Sequence, residues 1–192
     1  MRIYSEKITD TLDILKPDES RFKGTFTPVL LQPGDLLFRF AKNREAKYSD
    51  CWTDKETLKQ IFQAYHDRLR KKPSVLNKRP MVKAQAYNVL AIAKSWNNLE
   101  HLLVVKIKKD LIAYEGTIKE QSFFQNIDID EHSDLRKIKM AGGGKQFITP
   151  RIKHYASKRD MATIHHYMTD YEICKFDESS WYKRLVSGGY FL

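Results

Sequence analysis

The chain has 192 residues, of which 42% are hydrophobic and 30% are charged. This length and composition are typical of one folded domain and exclude a disordered tail, so we expect a single domain over residues 1–192. The 34 Lys and Arg residues outnumber the 24 Asp and Glu residues, which gives a formal net charge of +10. Such an excess favours an anionic partner: a nucleic acid, a phosphorylated ligand or an anionic membrane surface.

The cysteines and the first residues of the chain indicate which covalent links, metal sites and membrane segments to expect. Cys51 and Cys174 stand far apart and match no metal-ligand or redox spacing, which argues against a disulfide framework and against a metal site. Acidic residues interrupt the first 20 residues, and no run approaches the roughly 18 apolar residues of a membrane span. We expect a protein that is cytoplasmic where it is made, or that a dedicated machine secretes or injects into a target cell.

The first half of the sequence predicts one strand and two helices. Residues 35–40 are apolar and follow the turn signal Pro33-Gly34, which predicts a buried strand that contains Arg39. A capping box over residues 53–56 and apolar residues at spacings of three and four predict an amphipathic helix over 54–71. Pro80 then predicts the start of a second helix that continues to about Lys94.

The second half is richer in strand signals. Residues 102–107 and 111–116 predict two strands, and the glycines at 142–144 precede a short strand over 145–149. Two further strand-like runs lie at 164–168 and 171–176, whereas 122–139 is polar and mixed in charge. The order favours an α+β fold over a doubly wound parallel sheet, because strands and helices do not alternate regularly.

The short motifs of common enzyme classes are absent from the sequence. We find no Walker A loop, GxGxxG, HExxH, CxxC or GxSxG. The glycines before Lys145 precede a strand and lack the ending of a phosphate-binding loop. His165 and His166 are adjacent in strand-like sequence and would point to opposite faces, which favours a structural or surface role.

Four segments in chain order carry a resemblance to a known superfamily. They are the strand around Arg39, the Ser49–Thr53 stretch that opens a helix, the strands between 103 and 116 with Gln121 beyond them, and the 142–150 segment that contains Gln146. In this order and spacing the sequence resembles the ADP-ribosyltransferase-like fold, particularly the small bacterial toxin and effector domains. The resemblance implies an α+β domain with a split mixed or antiparallel sheet, helices in its N-terminal half, and NAD as substrate.

The resemblance also implies roles for individual residues. Arg39 would hold a phosphate or the nicotinamide ribose of NAD, and a guanidinium suits this role because it can offer two donors at once. Ser49, Trp52 and Thr53 would shape the nicotinamide pocket, with Trp52 as an apolar wall and Ser49 as a hydroxyl. No metal is expected.

The sequence departs from the superfamily pattern on the late strand, where a catalytic Glu is expected. Gln146 stands there, and Gly144 lies two positions earlier. A glutamine can accept a hydrogen bond from a ribose 2′-hydroxyl, but it offers no negative charge to a cationic transition state. Glu115 or Glu120 on the preceding segment could supply a carboxylate instead. Gln146 and Glu115 are therefore the catalytic candidates.

Alternatives remain open at both the residue and the functional level. Arg39 could be a structural strand arginine, Trp52 a core residue, Thr53 only a helix cap, and Gln146 part of a tight turn into an edge strand. The protein could be an NAD-consuming enzyme with an unidentified protein or nucleic-acid acceptor. It could also be a nucleic-acid-binding module that uses basic clusters at 68–83 and 136–159, or a non-enzymatic effector domain on the same fold.

Overall fold

A computed structural model describes residues 12–13, 20, 22–42, 51–71, 81–129, 132–149, 151–152 and 172–175. In this part of the chain there are two helices, α1 over Lys55–Lys71 and α2 over Met81–Val89. The strands are β1 Leu12–Asp13, β2 Thr27–Leu31, β3 Leu36–Ala41, β4 Cys51–Trp52, β5 His101–Lys106, β6 Leu111–Thr117, β7 Gln121–Ile129, β8 His132–Met140, β9 Lys145–Ile148, β10 Arg151–Ile152 and β11 Glu172–Lys175.

Two sheets form the body of the described fold. The first sheet has the order β11-β5-β3, and the second has the order β2-β6-β9-β4. Strands β7 and β8 make a separate hairpin, and β1 pairs with β10. All of these pairings are antiparallel. The α+β class predicted from the sequence is therefore confirmed.

Alternation along β3 separates two apolar cores. Phe38 and Phe40 are buried on one face of the strand, in a cluster with residues of α1 and α2 such as Leu58 and Val82. Leu37 on the opposite face joins a second cluster, which residues from both sheets share. Successive strand residues point to opposite faces, so β3 is covered on both sides and its sequence is almost continuously apolar.

The predicted helices and strands largely match the structure, with two differences at helix ends. Asp54 caps α1, because its Oδ1 accepts a hydrogen bond from the Thr57 backbone N–H at 2.8 Å, so the capping box predicted to start at Thr53 was wrong by one residue. The second helix ends at Val89 and not near Lys94, since Ala91 has a φ of 48°. The predicted run at 171–176 corresponds to β11, whereas the run at 164–168, with His165 and His166, lies outside the described residues.

The polar segment after residue 120 forms the β7–β8 hairpin, which the sequence did not reveal. Phe123 and Ile138 are paired across the hairpin and pack against the first core. Phe124 and Lys137 are paired on the other face and are exposed. With only one apolar face, the segment lacks the continuous apolar signal that marks a buried strand.

The three consecutive glycines connect the hairpin to β9 by packing against the end of α2. The backbone N–H of Gly142 donates to the Asn88 carbonyl at 2.9 Å, and that of Gly144 donates to the Val89 carbonyl at 3.1 Å. Gly142 has a φ of 67°, which favours glycine. A Cβ at Gly144 would lie 2.9 Å from the Thr57 methyl and 3.0 Å from the Val89 carbonyl oxygen. This contact brings β9 close to both helices.

We expect Gly144→Ala to destabilise the protein by about 1–3 kcal/mol, because the added methyl group overpacks a contact with backbone atoms that cannot easily move. Urea unfolding should show a lower midpoint with an unchanged slope. Ser122→Ala, at an exposed position on the hairpin, is the control and should change the midpoint little. An equal midpoint for Gly144→Ala and wild type would contradict the close packing described here.

Candidate functional site

The two sheets meet where an edge strand of each comes together. Phe38 in β3 and Thr53 beside β4 form an isolated antiparallel bridge. Each residue donates its backbone N–H to the carbonyl of the other, at 2.8 Å from Phe38 and 2.7 Å from Thr53. The bridge is not extended into a ladder, so β3 and β4 separate immediately beyond it.

Arg39 spans the gap between the separating strands. Its Nη1 donates a hydrogen bond to the carbonyl oxygen of Cys51 in β4 at 2.5 Å. Arg39 is half-buried, and its backbone pairs with Leu103 in the first sheet. Arg39 therefore links the two sheets, with its backbone paired in the first sheet and its guanidinium bonded to β4 of the second.

A cavity of about 270 Å³ opens at this junction. The polar residues that line it are Arg39, Cys51, Thr53, Asn97, Gln121 and Gln146. Its apolar lining comes from Phe38, Phe40, Trp52, Leu90, Ala91, Ile92, Trp96 and Ile118. The cavity thus brings together Arg39, Trp52, Thr53 and Gln146, four of the six residues selected from the sequence.

Gln146 enters the cavity from β9 of the second sheet. It is half-buried and stands opposite Gly116 of β6 in the antiparallel register. Because neighbouring side chains of a strand alternate, Gln146 points to the face opposite that of Lys145 and Phe147. A Cβ at Gly116 would clash with the buried Phe22 ring, so this ring packs against β6 on the same face of the sheet as Gln146.

Glu115 lies on the other face of the second sheet. Its register partner is Phe147, and its Oε1 forms an ion pair with Lys145 Nζ at 2.9 Å. It lines a different cavity, of about 470 Å³, together with Asp54 at the start of α1. Glu120 pairs with Lys139 at 2.9 Å and is largely exposed. The structure therefore brings neither glutamate together with Arg39 and Gln146.

Two threonines hold the backbone of β9 just before Gln146. The Thr53 hydroxyl donates to the Lys145 carbonyl at 2.7 Å, and the Thr57 hydroxyl accepts from the Lys145 backbone N–H at 2.9 Å. Both threonines are buried. Thr53 is thus tied to the backbone and positions Gln146, while Thr57 is a positioning residue that sequence reasoning missed, because a threonine inside a helix carries no distinctive signal.

Trp52 contributes to the cavity lining, but it also belongs to the core between the sheets. Its side chain is 2% exposed and packs in the cluster that contains Leu37, Leu103 and Phe147. Of the two roles left open for Trp52, this burial favours core filling over an accessible wall. Ser49 lies outside the described residues.

The turn after α2 supplies residues of the cavity that the sequence did not indicate. Trp96 is 64% exposed, and its ring lies edge to face against Phe123 with 4.7 Å between centroids. Asn97 donates from Nδ2 to the Phe40 carbonyl at 2.9 Å, which fixes the turn against β3. A tryptophan between polar residues, Ser95 and Asn97, was the available signal, but its position at the same cavity as Arg39 depends on tertiary structure.

The remaining sequence expectations concern metals, membranes and basic surfaces. Within the described ranges, no group of three or more His, Cys, Asp or Glu residues could hold a metal ion. Neither described helix is long and apolar enough to cross a membrane. The basic clusters at 68–83 and 136–159 extend well beyond the part of the chain that the structure describes.

Comparison with known proteins leaves the family of this chain open. No protein-family model matches it, and no curated protein matches it. Among solved structures, the chain is similar to one described as Rhs1-CT in complex with its cognate immunity protein RhsI1, with 14% sequence identity and a TM-score of 0.39. The match covers 69% of this chain and 80% of that chain. A TM-score of this size does not establish a shared fold.

The ion pair beside the second cavity makes stability depend on pH. The hydrogen bond that Lys145 Nζ donates to the Glu115 carboxylate raises the pKa of Lys145 above its ordinary value of 10.5. Burial opposes this shift, and the attraction of Glu115 and Asp54 adds to it. A lysine whose pKa is raised by folding stabilises the fold below about pH 10.5, and this contribution is lost as the pH rises through the folded-state pKa.

We therefore expect Glu115→Gln to be less stable than wild type at about pH 9, and the difference to vanish at higher pH, above the raised pKa of Lys145. The effect should be about 1 kcal/mol or less, because the Lys145 side chain is 42% exposed and solvent screens the pair. Chemical unfolding across this pH range measures it. Glu120→Gln removes the more exposed partner of Lys139 and is the matched control. A Glu115→Gln difference that stays constant with pH would contradict the assignment.

Proposed function

We propose that the protein binds NAD in the cavity at the sheet junction and cleaves the bond between nicotinamide and ribose. With a protein or nucleic-acid acceptor the protein is a mono-ADP-ribosyltransferase, and with water it is an NAD glycohydrolase. The observation that carries the proposal is the meeting of Arg39 and Gln146 in one cavity, although more than a hundred residues separate them.

The charge and the donor geometry of Arg39 are suited to binding an anion. A guanidinium is always charged, and its planar donors match phosphate oxygens or a pair of ribose oxygens. The hydrogen bond to the Cys51 carbonyl fixes the orientation of the Arg39 side chain before a ligand binds. The side chain therefore loses less conformational entropy on binding. The net charge of +10 also favours the approach of an anionic dinucleotide.

The apolar lining supports the placement of a nicotinamide ring. Phe38, Leu90 and Ile118 are buried residues of the first core that also line the cavity. Nicotinamide is cationic and aromatic in NAD and becomes neutral when it leaves. An apolar cavity therefore favours the leaving group over the bound substrate, which promotes cleavage.

The reaction breaks the C–N bond between ribose C1′ and nicotinamide N1, and both bonding electrons leave with the nitrogen. The cation that develops on the ribose is captured by an oxygen or nitrogen of the acceptor, or by water, which loses its proton to solvent. Gln146 can accept a hydrogen bond from the ribose 2′-hydroxyl and orient the sugar. Since no described residue that lines the cavity carries a carboxylate, we expect slow turnover.

The local packing explains why a carboxylate is missing two positions before Gln146. Gly144 lies against Thr57 and Val89 at distances that leave no space for a side chain. The packing of β9 against the helices therefore excludes a glutamate at this position, and Gln146 is the residue of β9 available for contact with the sugar.

We expect Arg39→Ala to weaken NAD binding by about 10- to 100-fold, because it removes charge-assisted hydrogen bonds. Arg39→Lys, the conservative control, keeps the charge but loses the planar donor pair, so it should bind with intermediate affinity. Titration calorimetry and NAD-dependent thermal shift measure binding, and circular dichroism verifies that each variant is folded. Folded Arg39→Ala protein with wild-type affinity would exclude this site, and no NAD binding by wild type would exclude the function.

We expect Gln146→Glu to release nicotinamide about tenfold faster than wild type or more, because a carboxylate stabilises the developing cation on the ribose. Gln146→Ala is the matched control and should not exceed the wild-type rate. Nicotinamide release from NAD is measured at saturating NAD, so that changes of affinity do not enter. If NAD binds but neither wild type nor Gln146→Glu releases nicotinamide, the result favours a non-enzymatic domain.

A further inference from the structure

The cavity at the junction is too small for a whole dinucleotide. Small-molecule sites usually enclose about 300–1,000 Å³, and this cavity encloses about 270 Å³. If the nicotinamide and its ribose occupy the enclosed part next to Arg39 and Gln146, the adenosine half must extend through the mouth of the cavity.

Trp96 marks that mouth. Among the residues that line the cavity, the others are buried or half-buried, whereas Trp96 is 64% exposed. What distinguishes Trp96 from Phe124, the other exposed aromatic residue in the described part of the chain, is that Trp96 also lines the cavity. An aromatic platform at the point where a bound dinucleotide leaves the cavity is suited to stacking against a base.

The ring of Trp96 is held in place before any ligand binds. Phe123 of the hairpin contacts it edge to face at an interplanar angle of 74°. The backbone N–H of Trp96 donates to the Ala93 carbonyl at 3.0 Å, and the neighbouring Asn97 side chain is bonded to Phe40 of β3. These contacts attach the platform to the strand that carries Arg39, so binding loses little conformational freedom.

From these observations we infer that Trp96 stacks against the adenine ring of NAD at the cavity mouth. The inference rests on the proposed function, and it adds that Trp96 recognises the adenine end of NAD. Trp96 is then a binding residue that does not take part in bond cleavage. It recognises the adenosine portion, which NAD shares with ADP-ribose and AMP, and not free nicotinamide.

The test combines affinity, fluorescence and rate. Trp96→Ala should weaken the binding of NAD and of ADP-ribose by similar factors, between about 5- and 100-fold, and should leave the rate of nicotinamide release at saturating NAD unchanged. Trp96→Phe keeps a smaller ring and should lose less affinity. AMP should change the tryptophan fluorescence of wild type but not that of Trp96→Phe. Phe124→Ala is the control, because Phe124 is 70% exposed and is not among the residues that line the cavity.

The outcomes separate the two proposals. If wild type binds NAD and Trp96→Ala binds it equally well, Trp96 does not stack against the adenine ring, while the proposed function stands. If free nicotinamide changes the Trp96 fluorescence and AMP does not, the ligand lies in the opposite direction and the inference is overturned. If wild type does not bind NAD, both proposals fail.

Discussion

The backbone bridge between Phe38 and Thr53 is the constraint on which the candidate site depends. It joins an edge strand of each sheet by two hydrogen bonds and then ends, so the strands diverge and leave a space between them. Arg39 follows the bridge directly and reaches across that space to the Cys51 carbonyl. A fully paired sheet would have closed the cavity, and two unconnected sheets would not have held its walls at a fixed distance.

The same junction orders the parts of the site that come from later in the chain. Thr53 makes the bridge and also donates a hydrogen bond from its hydroxyl to the Lys145 carbonyl, and Thr57 in the first turn of α1 accepts one from the Lys145 backbone N–H. The glycines before Lys145 allow β9 to approach α2 closely. Gln146 therefore lines the same cavity as Arg39, and β9 is held there by short hydrogen bonds to the Lys145 backbone. Glu115 takes part in an ion pair on the opposite face, which leaves the cavity without its carboxylate.

Much of the architecture could be predicted from local sequence signals, whereas the composition of the site could be predicted only in part. The turn at Pro33-Gly34, the amphipathic pattern of α1 and the apolar runs of β5 and β6 are properties of neighbouring residues. Arg39 and Gln146 were selected because the segments that carry them resemble, in order and spacing, those of a known superfamily. The direction of the Trp52 side chain and the face of Glu115 depend on strand register, which a single sequence does not fix. Trp96 was missed because its proximity to β3 is a tertiary contact.

NAD binding in the junction cavity can be tested most directly by a crystal structure of the protein soaked with NAD or with a non-hydrolysable analogue. We expect the nicotinamide ribose to lie between the Arg39 guanidinium and the Gln146 amide, with the adenosine directed toward the cavity mouth. Ligand density in the second cavity beside Glu115, or ordered NAD elsewhere with the junction cavity unchanged, would contradict it.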